Sequence, residues 1–180
     1  MSPKKLILLF FCFLAMSSCV DELDFSQADD YNITPENTVS LTYFTVLPFQ
    51  FFNLSGVQES EKSDTTDFRL FDNSYIRDNL VKLDFNVEVK NEFNRSFTVQ
   101  IVFLDANNNI THRFNEIKVG ANNLNYIFFE SIEIGTNQNI KNTTRVRVII
   151  IDNLGTSLNP SDTTEFEFKS SVKLYLDTDA

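Results

Sequence analysis

Two cysteines and a single histidine hold most of the reactive side-chain chemistry in this 180-residue chain. Cys12 lies inside an apolar run, whereas Cys19 directly follows the small residues Ser17 and Ser18. A thiol in that position can be acylated before the chain is cut ahead of it, which makes Cys19 the candidate lipid-attachment residue. Catalysis of the Ser-His-Asp or Cys-His type would have to rest on His112, which Thr111 and Arg113 flank and which reads as a surface residue. The usual zinc sites need several His and Cys ligands, and this composition does not supply them. Asp105, Asn107, Asn109 and Glu116 fall at positions 1, 3, 5 and 12 of a calcium loop. Ile110 stands where that loop needs glycine, and strands rather than helices are predicted on either side, so a plain hairpin turn is expected. Paired carboxylates suffice for glycoside hydrolysis, but the acids here fall mostly on predicted outward faces and nothing marks one of them as held protonated. No glycine-rich phosphate cradle exists, because the 4 glycines are far apart. No catalytic residue, metal site or cofactor is assigned, and the chain is expected not to be an enzyme.

The N-terminal elements explain what Cys19 is for. Lys4 and Lys5 precede an apolar run from Leu6 to Met16, the layout of a secretory signal. The run is about half the roughly 20 residues that a spanning helix requires, and acidic residues follow it, so a permanent transmembrane helix is not expected. Ala15-Met16-Ser17-Ser18-Cys19 resembles the lipobox of bacterial lipoproteins, with Met16 where that box usually has Leu. Residues 1–18 therefore read as a lipoprotein signal peptide. Residues 19–37 contain Asp21, Glu22, Asp24, Asp29, Asp30 and Glu36 without Lys or Arg, and read as an acidic, solvated tether. The acids just after the cysteine, Asp21, Glu22 and Asp24, resemble the export tag that sends lipoproteins of Bacteroidota to the outer face of the outer membrane. The opening as a whole, with Ser-Cys-Val-Asp-Glu-Leu-Asp-Phe at 18–25, is similar to small surface lipoproteins of flavobacteria-type Bacteroidota. An acidic spacer without sorting content is the alternative.

Charge bears on partners by exclusion. The formal net charge is −10, and losing Lys4 and Lys5 with the signal takes it to −12. Phosphate binding needs a basic footprint, so nucleic acid is not an expected ligand. An acidic protein is also repelled by anionic membrane surfaces, which leaves acyl chains on Cys19 as the means of membrane attachment. With Cys12 removed, Cys19 is the last cysteine and no internal disulfide can form. A mature chain of about 160 residues can hold together by burial alone, since chains of that size bury roughly 68–70% of their unfolded surface.

Residues 38–177 read as one all-β domain. Val81, Leu83, Phe85, Val87 and Val89 alternate with Lys82, Asp84, Asn86 and Glu88, the period-2 pattern of a half-buried antiparallel strand. Phe97, Val99, Ile101 and Phe103 repeat it after a polar turn at 91–95, which predicts a hairpin. The run 110–119 is weakly patterned, whereas Leu124, Tyr126, Phe128, Ile132 and Ile134 share one parity. Val146, Val148 and Ile150 face away from Arg145 and Arg147, which read as solvated, and Phe166, Phe168, Val172, Leu174 and Leu176 form the last core face. The run 41–47 is ambiguous in parity between Tyr43 and Phe44, and 72–78 reads as a short helical turn capped by Asp72 or Asn73. Such short strands with turns between them predict an antiparallel β-sandwich of about seven or eight strands.

The pattern from Val81 to Asn109 resembles Ig-like and late-embryogenesis-abundant-type sandwich domains, which implies a fold and no function. Asp64-Thr65-Thr66 and Asp162-Thr163-Thr164 resemble the short acidic-Thr acceptor for O-glycosylation in Bacteroidota, with Asp- and Thr-rich turns as the simpler reading. Phe49, Phe51 and Phe52 read as core. The expected function is that of an outer-membrane-anchored, non-enzymatic lipoprotein facing the cell surface, whose sandwich binds outer-membrane or surface proteins or spaces them. The alternatives are a periplasm-facing orientation, a carbohydrate-binding module and a carboxylate-based hydrolase. Cys19→Ala should leave an exported but unanchored chain: an alkynyl fatty acid fed to cells should label the native protein and not the variant. Equal labelling of both would contradict acylation at Cys19.

Overall fold

The computed structural model describes residues 36–153 and 157–177. Cys19, Asp21, Glu22, Asp24 and the whole signal segment lie outside the described residues. Among the described residues there are nine strands: β1 (Glu36–Val46), β2 (Glu61–Asp67), β3 (Leu80–Asn91), β4 (Phe97–Leu104), β5 (Ile110–Arg113), β6 (Ile117–Val119), β7 (Tyr126–Glu133), β8 (Arg145–Asp152) and β9 (Phe166–Leu176). One sheet has the order β1-β9-β3-β7, and the other β2-β8-β4-β5 with β6 also on β4. Every pairing is antiparallel, so the expected sandwich is the observed fold. The strand number exceeds the expectation because the run 110–119 divides into β5 and β6, and because polar β2 has no alternation to reveal it. β1 opens at Glu36, beside the expected boundary at Asn37.

The best-patterned residues lie where their parity puts them. Phe85 and Val87 are buried on β3, Val146, Val148 and Ile150 on β8, and Phe166, Phe168, Val172, Leu174 and Leu176 on β9. Two β-bulges modify the pattern. A register shift between Leu80 and Lys82 turns Val81 outward, to 41% exposure, and sends Leu80 into the core in its place. A second shift between Ser40 and Thr42 lets Leu41 and Phe44 both pack on the core, which accounts for the ambiguous parity of that strand. Arg145 and Arg147 are half-buried rather than solvated, because their register partners Leu104 and Val102 present apolar surface that long arginine stems can cover. Between β2 and β3, helix α1 (Ser74–Asn79) starts at Asn73, whose side chain accepts hydrogen bonds from the amides of Tyr75 and Ile76.

β3 and β4 do not form the expected hairpin. They lie in opposite sheets, β3 between β9 and β7 and β4 between β8 and β5. The connection is not a tight turn: Phe93 is buried in it, and the fully buried Asn91 organises it. The Asn91 amide donates to the carbonyls of Arg95 (2.8 Å) and Gly120 (2.7 Å), while its oxygen accepts from Phe93 N (3.0 Å). Arg95 then reaches Asp152 at the end of β8, at 2.6 Å, both side chains being nearly inaccessible. These bonds carry the chain across the end of the sandwich, so two strands with similar apolar faces pack face to face.

That packing is aromatic. Phe85 meets Phe103 and Phe114 of the opposite sheet edge-on, with centroids 5.3 and 5.1 Å apart, and Phe97 meets Phe166 at 5.1 Å. Edge-to-face pairs are worth about 0.5–1.5 kcal/mol beyond the area they bury. Phe85→Ala should cost about 3–5 kcal/mol by urea titration, because lost transfer energy and an unfilled cavity add. Asn86→Ala, on the outer face, should cost under about 0.5 kcal/mol. If the Asn86 variant were the less stable, the register of β3 would be wrong.

Candidate functional site

The two open sheets have four edges, formed by β1, β7, β2 and the short pair β5 and β6, and each must avoid pairing with foreign chains. Three of them carry recognised protections. β2 is polar throughout, with Lys62, Asp64 and Asp67 on it; β5 is only 4 residues long; β1 has a bulge at Ser40/Thr42. β7 is neither short, bulged nor polar throughout; its charged residues are Glu130, turned inward to His112, and Glu133. It runs for 8 residues without Lys or Pro, and it pairs in unbroken register with β3 alone, from Lys82↔Glu133 to Val89↔Tyr126. Ile127 and Phe129 stand on its outer face at 68% and 60% exposure, opposite Glu88 and Asn86. Glu130 and Glu133 make the strand acidic as well as apolar. The sequence held a sign of this: Tyr126, Ile127, Phe128 and Phe129 are apolar on both parities, and an edge strand has only one core-facing side.

The opposite edge of the sandwich is open. Between β1 and β2 a slot of about 400 Å³ opens to solvent over the edge of the core. Beneath it lie Phe168 of β9, Phe85 and Val87 of β3, Val146 and Val148 of β8 and Phe103 of β4, all buried, with Phe85 packed on Phe103. Ser40, Thr66, Asp67, Arg69 and Asn73 form a polar, exposed rim. No feature of the sequence signals this slot, because its lining reads as ordinary core.

His112 is not on the surface. Its side chain is 17% exposed, against Phe103 and Phe114, and it lies on β5 facing Glu130 of β7, so the contact spans the two sheets. Nδ1 accepts from Asn137 Nδ2 at 2.8 Å, which keeps the neutral ring's proton on Nε2. Nε2 is 3.5 Å from Glu130 Oε1, too long to satisfy it, and is left buried without a hydrogen-bond partner. Burial pushes the imidazole below its ordinary range against the pull of Glu130. Asp84 keeps the outward face expected of it but is buried there under Lys82 and Tyr175. Burial raises its pKa, but hydrogen bonds from Ser131, Tyr175 (2.8 Å) and Lys82 outweigh that and hold the carboxyl below the usual range. An ionised acid of this kind cannot act as a general acid.

The remaining candidates are placed as follows. Asp105 spends its carboxylate on its own turn, accepting from Asn107 N and Asn109 N at 2.8 Å and from Asn109 Nδ2 at 2.9 Å. Glu116 accepts from Gln100 instead, so the calcium-loop residues do not converge. Asp64-Thr65-Thr66 lies within β2 rather than in a turn, whereas Asp162 accepts from Thr164 N in a turn. Phe51 is buried, Phe52 packs against the core, and Phe49 is 55% exposed, which departs from the core reading for that residue. Among the described residues no three His, Cys, Asp or Glu side chains cluster as a metal site, and no helix is long and apolar enough to cross a membrane.

No family model matches the sequence, and no curated protein matches it. Among solved structures, the chain is similar to a candidate secreted protein from Parabacteroides distasonis, with TM-score 0.49 and 15% identity over 63% of this chain and 37% of that one. It is also similar to a structure of infectious bursal disease virus (Gx strain), with TM-score 0.41 and 9% identity over 79% of this chain and 32% of that one. A Bacillus endospore appendage protein gives TM-score 0.36 and 12% identity over 82% and 92% of the two chains. The chain thus spans roughly a third of the first two proteins, and likenesses this distant assign neither family nor activity.

His112 gives the site a measurable pH dependence. Its folded pKa lies below the ordinary value of about 6.5, so the unfolded chain binds the proton first as pH falls. Stability is unaffected by this group above about pH 6.5 and declines as pH drops from there towards the folded pKa. No other histidine titrates in that window. The Tm of the native chain should fall between pH 7.5 and 5.5, and His112→Asn should flatten that decline; equal slopes would contradict the burial of a neutral ring.

Proposed function

We propose that this chain is an exported, non-enzymatic binding lipoprotein, anchored to the outer membrane through acyl chains on Cys19 and directed to the cell surface by Asp21, Glu22 and Asp24. On this reading β7 is its working edge: an extended segment of an outer-membrane or surface protein pairs along Tyr126–Glu133 and covers Ile127 and Phe129. The observation that carries the reading is the length and unbroken register of β7 together with its exposed apolar pair, Ile127 and Phe129. Main-chain hydrogen bonds along a free edge supply affinity, and side chains on alternate positions supply specificity. Glu88 and Glu133, exposed on the same outer face as the apolar pair, favour a partner segment that is apolar with basic flanks. A sugar platform would need grouped aromatic faces, whereas exposed Tyr43, Phe49, Tyr75 and Phe129 stand on separate elements.

A photo-crosslinking residue placed at Ile127 should capture one protein on intact cells, and the same residue at Thr65 on β2 should capture none. Phe129→Lys should abolish the Ile127 product while leaving the Tm within error, since the position is on the surface. Equal capture from both edges, or capture that survives Phe129→Lys, would contradict the reading.

A further inference from the structure

β1 finishes at Val46, at the end of the sandwich where β9 begins with Phe166, and the chain turns out there into a loop before β2. No charged residue occurs from Asn37 to Gln58, although 22% of the chain is charged. The first charges beyond that stretch, Glu59 and Lys62, pair with each other. Within it Phe49 is 55% exposed, Val57 58%, and Leu54 at the apex of the loop is fully exposed, at 109%. One apolar side chain on a surface is ordinary, but three large ones on residues 49–57 of a single uncharged loop mark an interaction site.

The loop is fixed at its base and closed on itself at its tip. Phe51 is fully buried and stacks on Phe97 with centroids 5.8 Å apart, and the Gln58 side chain accepts from Leu158 N at 2.6 Å. At the tip Asn53 N donates to Val57 O and Gly56 N to Asn53 O, both at 2.9 Å, while the Asn53 side-chain oxygen accepts from Ser55 N and Val57 N at 3.0 Å. Gly56 permits this turn, with φ at +73°. These amides are satisfied without water, as the backbone of a segment entering a bilayer must be. A protein partner would instead be met with about one hydrogen bond per 100–200 Å² of interface, and this tip has already used those donors. Charge then selects the kind of lipid: the formal net charge of −10 repels anionic headgroups, so a zwitterionic surface fits.

We propose that residues 49–57 form an apolar wedge that docks the domain on a zwitterionic lipid surface, Leu54 entering first and Phe49 and Val57 following. Three side chains bind weakly on their own, as a single acyl chain does. The inference rests on the reading above only in that an acyl anchor on Cys19 keeps the wedge near a bilayer, where a weak contact is enough to orient the domain.

The test uses the mature chain, residues 19–180, with Cys19→Ala, so that no acyl group takes part and failure of the wedge is distinct from failure of the anchor. This chain holds no other cysteine, so a nitrobenzoxadiazole probe can be placed through Ser55→Cys in the tip or Thr65→Cys on β2. Phosphatidylcholine vesicles should shift the emission of the Ser55 probe to the blue, saturably, and leave the Thr65 probe unchanged. Exchanging part of the lipid for phosphatidylglycerol should weaken the response. Leu54→Asp should raise the lipid concentration for half-binding at least about tenfold, with the Tm within error because that side chain is fully exposed. Equal shifts at both probes, tighter binding to phosphatidylglycerol, or undiminished binding by Leu54→Asp would each overturn the proposal. So would a Ser55 probe that ignores vesicles, and a photo-crosslinker there that captured a protein on intact cells would then make the loop a protein contact.

Discussion

Two sheets joined only by backbone connections must be held face to face by what lies between them, and here that is two clusters of phenylalanine rings. Phe68, Phe103, Phe85, Phe114 and Phe128 form one chain of contacts, and Phe51, Phe97, Phe93 and Phe166 form another. The described residues hold neither a cysteine to tie the sheets nor a tryptophan to fill large gaps. Rings are large and stiff, so they fill the middle of the sandwich well and its margins less well. The slot between β1 and β2 is the margin where they stop. At the other margin the fit is closed by His112 and Glu130, a polar contact bought with an unsatisfied ring nitrogen.

The two margins therefore differ in kind. On the β7 side the strand edge and its outer face are exposed; on the β1/β2 side the edges are protected by polarity and a bulge, and the core beneath the slot stays buried. The same ring-packed core holds β3, β4, β8 and β9 between these outer strands.

Much of the fold was legible because alternation reports burial directly. β8 and β9 follow their sequence pattern residue for residue, and the cap at Asn73 was readable from its type and place. The partnership of β3 was not. Two amphipathic strands joined by a polar segment look like a hairpin, and only Asn91, whose side chain joins carbonyls from two connections, turns the segment into a crossing. Bulges at Leu80/Lys82 and Ser40/Thr42 shift parity by a residue, which pattern alone cannot anticipate. His112 looked solvent-facing because Thr111 and Arg113 flank it, but its place opposite Glu130 depends on how the sheets stack. The slot was invisible for a simpler reason: a sequence reveals which residues are apolar and not whether they meet.

The central claim is that β7 is an unoccupied edge in the isolated protein. Amide hydrogen exchange on the purified chain, followed residue by residue, tests it most directly. Alternate amides of Tyr126–Glu133, those pointing away from β3, should exchange with little protection, while β3 and β9 amides exchange only through global unfolding. Uniform protection along β7, equal to that of β3, would mean that the edge is already paired and would contradict the account.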